Sequence, residues 1–459
     1  MKDNDNIMDN SYLKVSKYTF FIENKNKFYT YNTVSNALMK IDEELYTSLI
    51  NSKTNSKSIE KSIDENIIQR LKDDKFITEN DEDEFLIFKS MIIALRNESQ
   101  TMSLTIAPTM DCCFNCHYCF EKSKGPNYMS ENVMKGIANH LAMIEGIKKI
   151  HLTWFGGEPL MAVPEMERLY RKLRRKLKEV SFHSNIITTG FHLTEDNIRS
   201  LQRMKVTDIQ ITLDGLKDTH NKIKFTEGCD DAFSVVLDNI ERVCKLAPEI
   251  LIVIRTNLTK TNAHEYQELQ QMISQRFAGK NIAIAPAFVM DRDNCGRSHS
   301  PNMFTANEYP KYILELAEKG IDTPQVRYPD GAFTECAIRN ALSLSFDPEG
   351  NLYKCWEHIG NTKYALGKIN KNGVIENINE TLLNRQMYGA DPLEDPVCRK
   401  CAYLPICHGG CPIQRVENAF YDGQNVCCTY YKGHINEFIL EHIRRKESME
   451  KNKKTILEV

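Results

Sequence analysis

Between Ser103 and Met290 six short apolar runs alternate with stretches of helical periodicity: Leu104–Ala107, Ile150–Phe155, Asn185–Thr188, Asp208–Leu213, Leu251–Arg255 and Ile282–Phe288. Strands that each lead into a helix pair side by side, so this alternation predicts a parallel sheet with helices outside it. Six such units make a partial (β/α)6 barrel. In barrels of this kind the chemistry gathers at the carboxyl ends of the strands. Cys112, Gly156, Thr188, Asp214 and Asn257 all fall at such ends and are expected to share one rim. The basic run Arg171–Lys178 falls on a predicted outer helix, where a solvated face is its expected role.

The loop after the first strand carries Cys112, Cys116 and Cys119 at the spacing C-x3-C-x2-C. Thiolates are soft ligands that select iron–sulfur clusters, zinc or copper(I), so the triad says metal before it says which metal. A structural zinc site wants four ligands with none missing, whereas three cysteines would hold three irons of a cubane and leave the fourth open to a substrate. A zinc knuckle, or plain buried thiols, is the alternative.

With Tyr118 just before its last cysteine, this segment resembles the radical S-adenosylmethionine (SAM) enzymes. Further motifs follow in the right order. Trp154-Phe155-Gly156-Gly157-Glu158-Pro159 is similar to the family's GGEP turn, which receives the SAM amino group. Ile186–Gly190, Ile209–Gly215 and Ile252–Asn257 look like the strand ends that line its SAM and substrate pocket. The resemblance implies SAM contacts from Tyr118, Gly156, Gly157, Glu158, Pro159, Thr188, Thr212, Arg255 and Asn257. Thr189 departs from the pattern, standing where relatives often carry Asn. The implied chemistry is one-electron cleavage of SAM on the open iron, giving a 5′-deoxyadenosyl radical that abstracts hydrogen from an unactivated carbon.

A second cysteine set begins with Cys336 and Cys355, spaced C-x13-G-x4-C through Gly350. Cys398, Cys401, Cys407 and Cys411 follow as C-x2-C-x5-C-x3-C, then the pair Cys427-Cys428. The pattern resembles the SPASM extension of peptide-modifying radical SAM enzymes, which holds two auxiliary 4Fe-4S clusters. The resemblance assigns Cys336, Cys355 and Cys411 to the first, and Cys398, Cys401, Cys407 and one of Cys427 or Cys428 to the second. Cys428 is preferred because Lys432 follows it at the family's spacing. Some relatives supply a fourth ligand to the first cluster where Leu342 stands here, so an open iron or a non-cysteine ligand is expected. A zinc-ribbon-like fold is the alternative for this region. Cys113, Cys229, Cys244, Cys295 and the spare member of the pair have no assigned role.

Near the amino terminus, the aromatic runs Tyr18–Ile22 and Lys27–Asn32 flank the turn-prone Glu23–Asn26 and predict a hairpin. Helical patterns follow in Asp42–Asn51 and Ser58–Leu71. Hairpin then helices resembles the winged-helix leader-recognition domain of enzymes that modify ribosomally made peptides, and a structural cap is the alternative. The expected domains are therefore 1–95 leader-recognition-like, 96–325 radical SAM core, 326–440 SPASM and 441–459 a charged tail.

Composition bounds the class. A formal net charge of −3 with 26% charged residues argues against a protein built to neutralise nucleic-acid phosphates. No signal-peptide pattern opens the chain, and no apolar run reaches a membrane span, since Phe85–Leu95 is broken by Lys89 and Ser90. Fifteen cysteines in such a chain point to metal in a reducing cytoplasm rather than to disulfides. The partners the resemblance implies are a precursor peptide or protein and a low-potential electron donor of flavodoxin or ferredoxin type. Its reaction divides two ways. Sulfatase maturases, which make formylglycine, carry an aspartate base directly after the cysteine matching Cys355, but Trp356 stands here. That departure favours a maturase forming a thioether or other crosslink, with Glu357, His358 and Asp214 as candidates for proton transfer beside the cysteines. A non-catalytic iron–sulfur electron-transfer or sensing protein is the reading from another class; it leaves the GGEP turn without a use.

Overall fold

The computed structural model describes residues 13–55, 59, 63–79, 81–119, 121, 124–289, 302–321, 323–324, 328–330 and 335–457. The amino-terminal part contains β1 (Lys14–Val15), β2 (Thr19–Asn24), β3 (Lys27–Asn32), β4 (Leu38–Ile41) and β5 (Ile77–Thr78). β2 and β3 form the predicted hairpin, and its turn residues Lys25 and Asn26 both take positive φ (48° and 59°), the twist a two-residue hairpin turn needs. β4 adds antiparallel to β3, and β1 pairs antiparallel with β5. Helices Glu43–Asn55 and Glu65–Asp73 close a small core with Leu49, Ile68, Leu71 and Phe76, and Asp81–Arg96 leads into the barrel. Most of the predicted start of the second helix lies outside the described residues; its N-cap is Asp64, whose carboxylate accepts from the Asn66 and Ile67 amides.

All six predicted barrel strands form: β6 (Thr101–Ile106), β7 (Lys149–Trp154), β8 (Ser181–Thr188), β9 (Val206–Thr212), β10 (Leu251–Leu258) and β11 (Ile282–Phe288), paired in parallel in that order. β8 starts earlier than expected because its first half places polar Ser181 and His183 where no apolar pattern marks them. Residues alternate between two environments. Ile150, Leu152 and Trp154, or Ile209 and Ile211, are sealed under the helices, while Thr153, Gln210, Thr212, Arg255 and Asn257 face the partly open barrel interior. The outer helix Val163–Lys176 buries Val163, Met166, Leu169, Tyr170 and Leu173 and turns Arg171, Arg174 and Arg175 to solvent, as its charge run predicts.

Sequence patterning does not reveal how the last part joins. β12 (Ser343–Phe346) pairs in parallel with β6, and β13 (Asn351–Tyr353), β14 (Gly367–Ile369) and β15 (Ile375–Glu376) continue antiparallel, making one ten-stranded sheet. Asp347 organises the β12–β13 turn by accepting from the Glu349 and Asn351 amides, Asn351 Nδ2 (2.7 Å) and the Tyr353 hydroxyl (2.9 Å). Gly350 closes that turn at φ +84°, so the glycine of C-x13-G-x4-C is a backbone requirement. The three parts touch. Arg96 joins Glu335 (2.8 Å) and Asp391 (3.0 Å), Thr33 donates to the Ala402 carbonyl, and Tyr29 and Tyr31 share a core with Phe438 and Ile439. Residues from 441 onward, expected as a charged tail, begin inside the helix Ile435–Leu457, where buried Glu441 pairs with Arg444 and Arg445. Among the described residues no helix is long and apolar enough to cross a membrane.

Candidate active site

The cysteine loop follows β6 and lies directly against the turn after β7. Gly156 (φ +107°) and Gly157 have no room for a side chain: a Cβ on the first would sit 2.4 Å from the Thr109 carbonyl, and on the second 2.2 Å from that of Asp111. The Gly157 amide donates to Thr109 and the Glu158 amide to Asp111 (2.7 Å), so the two loops are one unit. Glycines at a strand end here permit backbone-to-backbone approach.

The Glu158 carboxylate, 0% exposed, accepts from the Leu160 amide (3.0 Å), the Thr188 hydroxyl (2.6 Å), and the Thr189 amide (2.8 Å) and hydroxyl (2.5 Å). Glu158 and Thr188, expected as cofactor contacts, are therefore occupied with each other. Thr188 falls on the helix-facing side of β8, and the pair staples the GGEP turn to the next strand end. The departure at Thr189 is accounted for by the same staple.

Tyr118 ties the loop to the far side of the rim. Its hydroxyl donates to Asp214 Oδ2 (2.6 Å) and accepts from Asn257 Nδ2 (3.2 Å), while Arg255 Nε donates to Asn257 Oδ1 (3.0 Å). Burial pushes the Tyr118 phenol well above its usual range, so it stays a donor. Asp214 is 0% exposed, and Lys224 Nζ lies 3.7 Å from its Oδ2. A carboxylate so enclosed is a poor shuttle, and proton transfer, its expected role, gives way to holding Tyr118 and Lys224 in place. Lys224 carries no motif to flag it; tertiary packing alone brings it here from the end of the helix Lys217–Ile223.

Behind Asp214, the amide of that residue donates to His220 Nδ1 (3.3 Å), and His220 Nε2 has no hydrogen-bond partner. Burial drives the His220 pKa from 6.5 down to about 3. An unfolded chain takes up this proton below 6.5 and the folded one only near 3, so His220 is expected to cost stability as pH falls through that window. The slope is about 1.4 kcal/mol per pH unit, and His220→Gln should flatten it in denaturant titrations at pH 4–6.

The thiols fit an iron–sulfur cluster. None of the described cysteines is in a disulfide. A hydrogen bond from Cys113 holds the Cys112 thiol at about 7, toward the thiolate that metal binding requires. Burial raises the nearby Glu121 carboxyl to about 8. Among the described residues no three His, Cys, Asp or Glu groups converge as the ligands of a single metal ion must.

The second set behaves alike. Cys336, Cys355 and Cys411 lie within one another's electrostatic reach. Cys398, Cys401, Cys407, Cys427 and Cys428 line a small, partly open pocket, with Arg415 Nη1 3.5 Å from Cys398 Sγ and Lys432 Nζ 3.4 Å from Cys428 Sγ. Leu342 packs against the barrel core. Lys354, unmarked by any motif, sends its buried Nζ to the carbonyls of Asn340, Ala341 and Ser343 and so sets the backbone before Cys355. His358 is stacked on Tyr364 (4.0 Å between ring centres) and buried. Burial lowers the Arg255 pKa, and Glu357 lies near enough to that guanidinium to oppose the fall. Trp356 stacks on Phe155 of the GGEP turn at 5.6 Å. Cys295 lies outside the described residues.

Residues 106–273 match the Radical SAM superfamily model, and the chain carries a radical SAM domain, with its requirement for a 4Fe-4S cluster and SAM. It is 21% identical over 370 residues to a cysteine-type anaerobic sulfatase-maturating enzyme of Clostridium novyi, covering 74% of this chain and 96% of that protein. It is 19% identical over 472 residues to the radical SAM cyclopropyl synthase TigE of Paramaledivibacter caminithermalis, covering 91% and 94%. A solved structure, native anSMEcpe with bound AdoMet and the Kp18Cys peptide, has a TM-score of 0.58 at 19% identity over 77% of this chain and 99% of that one, a likeness of fold.

Proposed function

We propose that this radical SAM domain serves a peptide maturase that installs a thioether or other crosslink on a ribosomally made precursor. When bound, the cluster and SAM supply reductive cleavage of the sulfonium and a hydrogen-abstracting radical. Cys112, Cys116 and Cys119 would hold that cluster, and the Gly156–Gly157 backbone and Asn257 are the groups facing SAM. Thr212 and Arg255, inside the barrel, and Glu357 near Arg255 are where substrate would be oriented. Cys336, Cys355 and Cys411 would hold one auxiliary cluster, and Cys398, Cys401, Cys407 and Cys428 another. A low-potential flavodoxin- or ferredoxin-type protein would supply electrons, in a reducing cytoplasm. The amino-terminal sheet runs β2-β3-β4, leaving β2 and β4 as edges on which a leader peptide could add as a strand.

The observation that carries the choice of reaction is Trp356. It stacks on Phe155 beside the GGEP turn, so the position where sulfatase maturases bear their aspartate base holds an indole. Similarity across 91% of the chain to TigE, a radical SAM cyclopropyl synthase, supports a reaction other than formylglycine formation. The second reading, formylglycine formation, draws on the similarity to sulfatase maturases. Anaerobically reconstituted protein given SAM and a strong reductant should form 5′-deoxyadenosine, stimulated by a peptide encoded beside its gene, which should lose two mass units. Conversion of a Cys-x-Pro-x-Arg peptide to formylglycine instead would establish the second reading. A protein full of iron that forms no nucleoside would be an electron-transfer or sensing protein.

Cys401→Ala is expected to lower iron content by about one cluster and to destabilise the fold around the 398–428 pocket, since metal binding there is coupled to folding. Iron and sulfide analysis together with thermal melting checks this.

A further inference from the structure

Lys224 is 6% exposed, and its Nζ lies 5.9 Å from the ring centre of Phe114 and 5.7 Å from that of Tyr118. Those rings stand two residues before and two after Cys116, so a buried ammonium is held over the middle of the cysteine loop. Its ion-pair partner Asp214 is fully enclosed, and the position is over-determined. Asn262 Nδ2 donates to the Asp214 carbonyl (2.6 Å), the Asp214 amide to His220, and the Tyr118 hydroxyl to the Asp214 carboxylate. Burial pulls the lysine toward neutrality, but the Asp214 carboxylate beside it helps to hold its pKa above the usual value.

A buried ion pair is weak support for a fold, because well-packed apolar residues serve about as well. A fixed cation in a low-dielectric site does have a strong effect on neighbouring charge, and net charge around a cluster is one of the terms that set its potential. Resting on the cofactor reading above, we infer that Lys224 is a positioning residue whose charge, held against the Phe114 and Tyr118 rings on either side of Cys116, raises the reduction potential of the cluster bound by Cys112, Cys116 and Cys119. In the step concerned, one electron passes from the low-potential donor to the cluster; no bond forms or breaks and no proton moves. The reduced site carries one more negative charge than the oxidised one, and the ammonium stabilises it more.

The test is an EPR-monitored redox titration of the anaerobically reconstituted full chain, with Cys116→Ala supplying the baseline signal of other clusters and iron content measured throughout. Lys224→Met should move the SAM-cluster midpoint to more negative potential by at least the equivalent of a tenfold change in the reduction equilibrium, 59 mV for one electron. Lys224→Arg should restore most of it. The double variant Asp214→Asn/Lys224→Met, which leaves no bare buried charge, should shift in the same direction by less, because the carboxylate removed with the ammonium partly offsets it, and carries the comparison if the single variant fails to hold iron. An unchanged midpoint at full iron content, or a shift that disappears in the double variant, would overturn the inference. A wild-type chain with no cluster assignable to Cys116 would instead overturn the cofactor reading beneath it.

Discussion

Cys116→Ala is expected to abolish 5′-deoxyadenosine formation, by at least about a thousandfold, while the carboxy-terminal cysteines keep their iron. On the proposed ligand set Cys116 would be the middle one of three, and with Cys112 and Cys119 alone a cubane would have half its irons without protein ligands. The loop itself should survive the change, because its anchors are elsewhere. The Asp111 carbonyl accepts the Glu158 amide, Tyr118 is tied to Asp214 and Asn257, and buried Phe114 packs on Phe191 at 5.3 Å. Iron loss near one cluster with unchanged melting temperature would therefore accompany the lost activity. Nucleoside formation by this variant at more than a few per cent of wild type would remove the cysteine triad from the chemistry.

Glu158→Gln should be nearly as damaging, though Glu158 need not touch the reactants. Its two oxygens accept from four donors, two amides and two hydroxyls, and the side chain is closed off from solvent. A glutamine supplies one carbonyl oxygen and an NH2 group that would face donors, leaving at least two buried groups unsatisfied at about 1–3 kcal/mol each. Expected results are a loss of about 2–5 kcal/mol in unfolding free energy and a weakened response to SAM, since the GGEP turn is no longer fastened to β8. Glu158→Asp, which keeps the charge and shortens the reach, should fall between. A Gln variant with wild-type stability would mean that the staple adds little to the fold.

The pattern of what could be read from residues alone follows from how local each determinant is. Six parallel strands were legible because each is an apolar run whose buried face repeats at period two against amphipathic helices, and that pattern is contained in a few consecutive residues. Cysteine spacings and paired glycines are local in the same way. The structure adds that Gly156, Gly157 and Gly350 are glycines because of a backbone carbonyl contact or a left-handed turn. Strands β12 to β15 are two to four residues long and owe their existence to pairing with β6 and with each other, so no periodicity marks them.

By itself the sequence determined the order of barrel units, the positions of the thiols and the glycines, and which strand ends come near one another. Only the tertiary structure decided what each polar side chain does there. Whether Thr188 faces the barrel or Glu158, whether Asp214 is free or locked to Tyr118, and that Lys224 lies over the Tyr118 ring depend on contacts between residues 10 to 106 positions apart. Hydrogen bonds and buried charges act through space over a few ångströms and are worth most where water is excluded, and which groups share such a place is set only when the chain has closed around them.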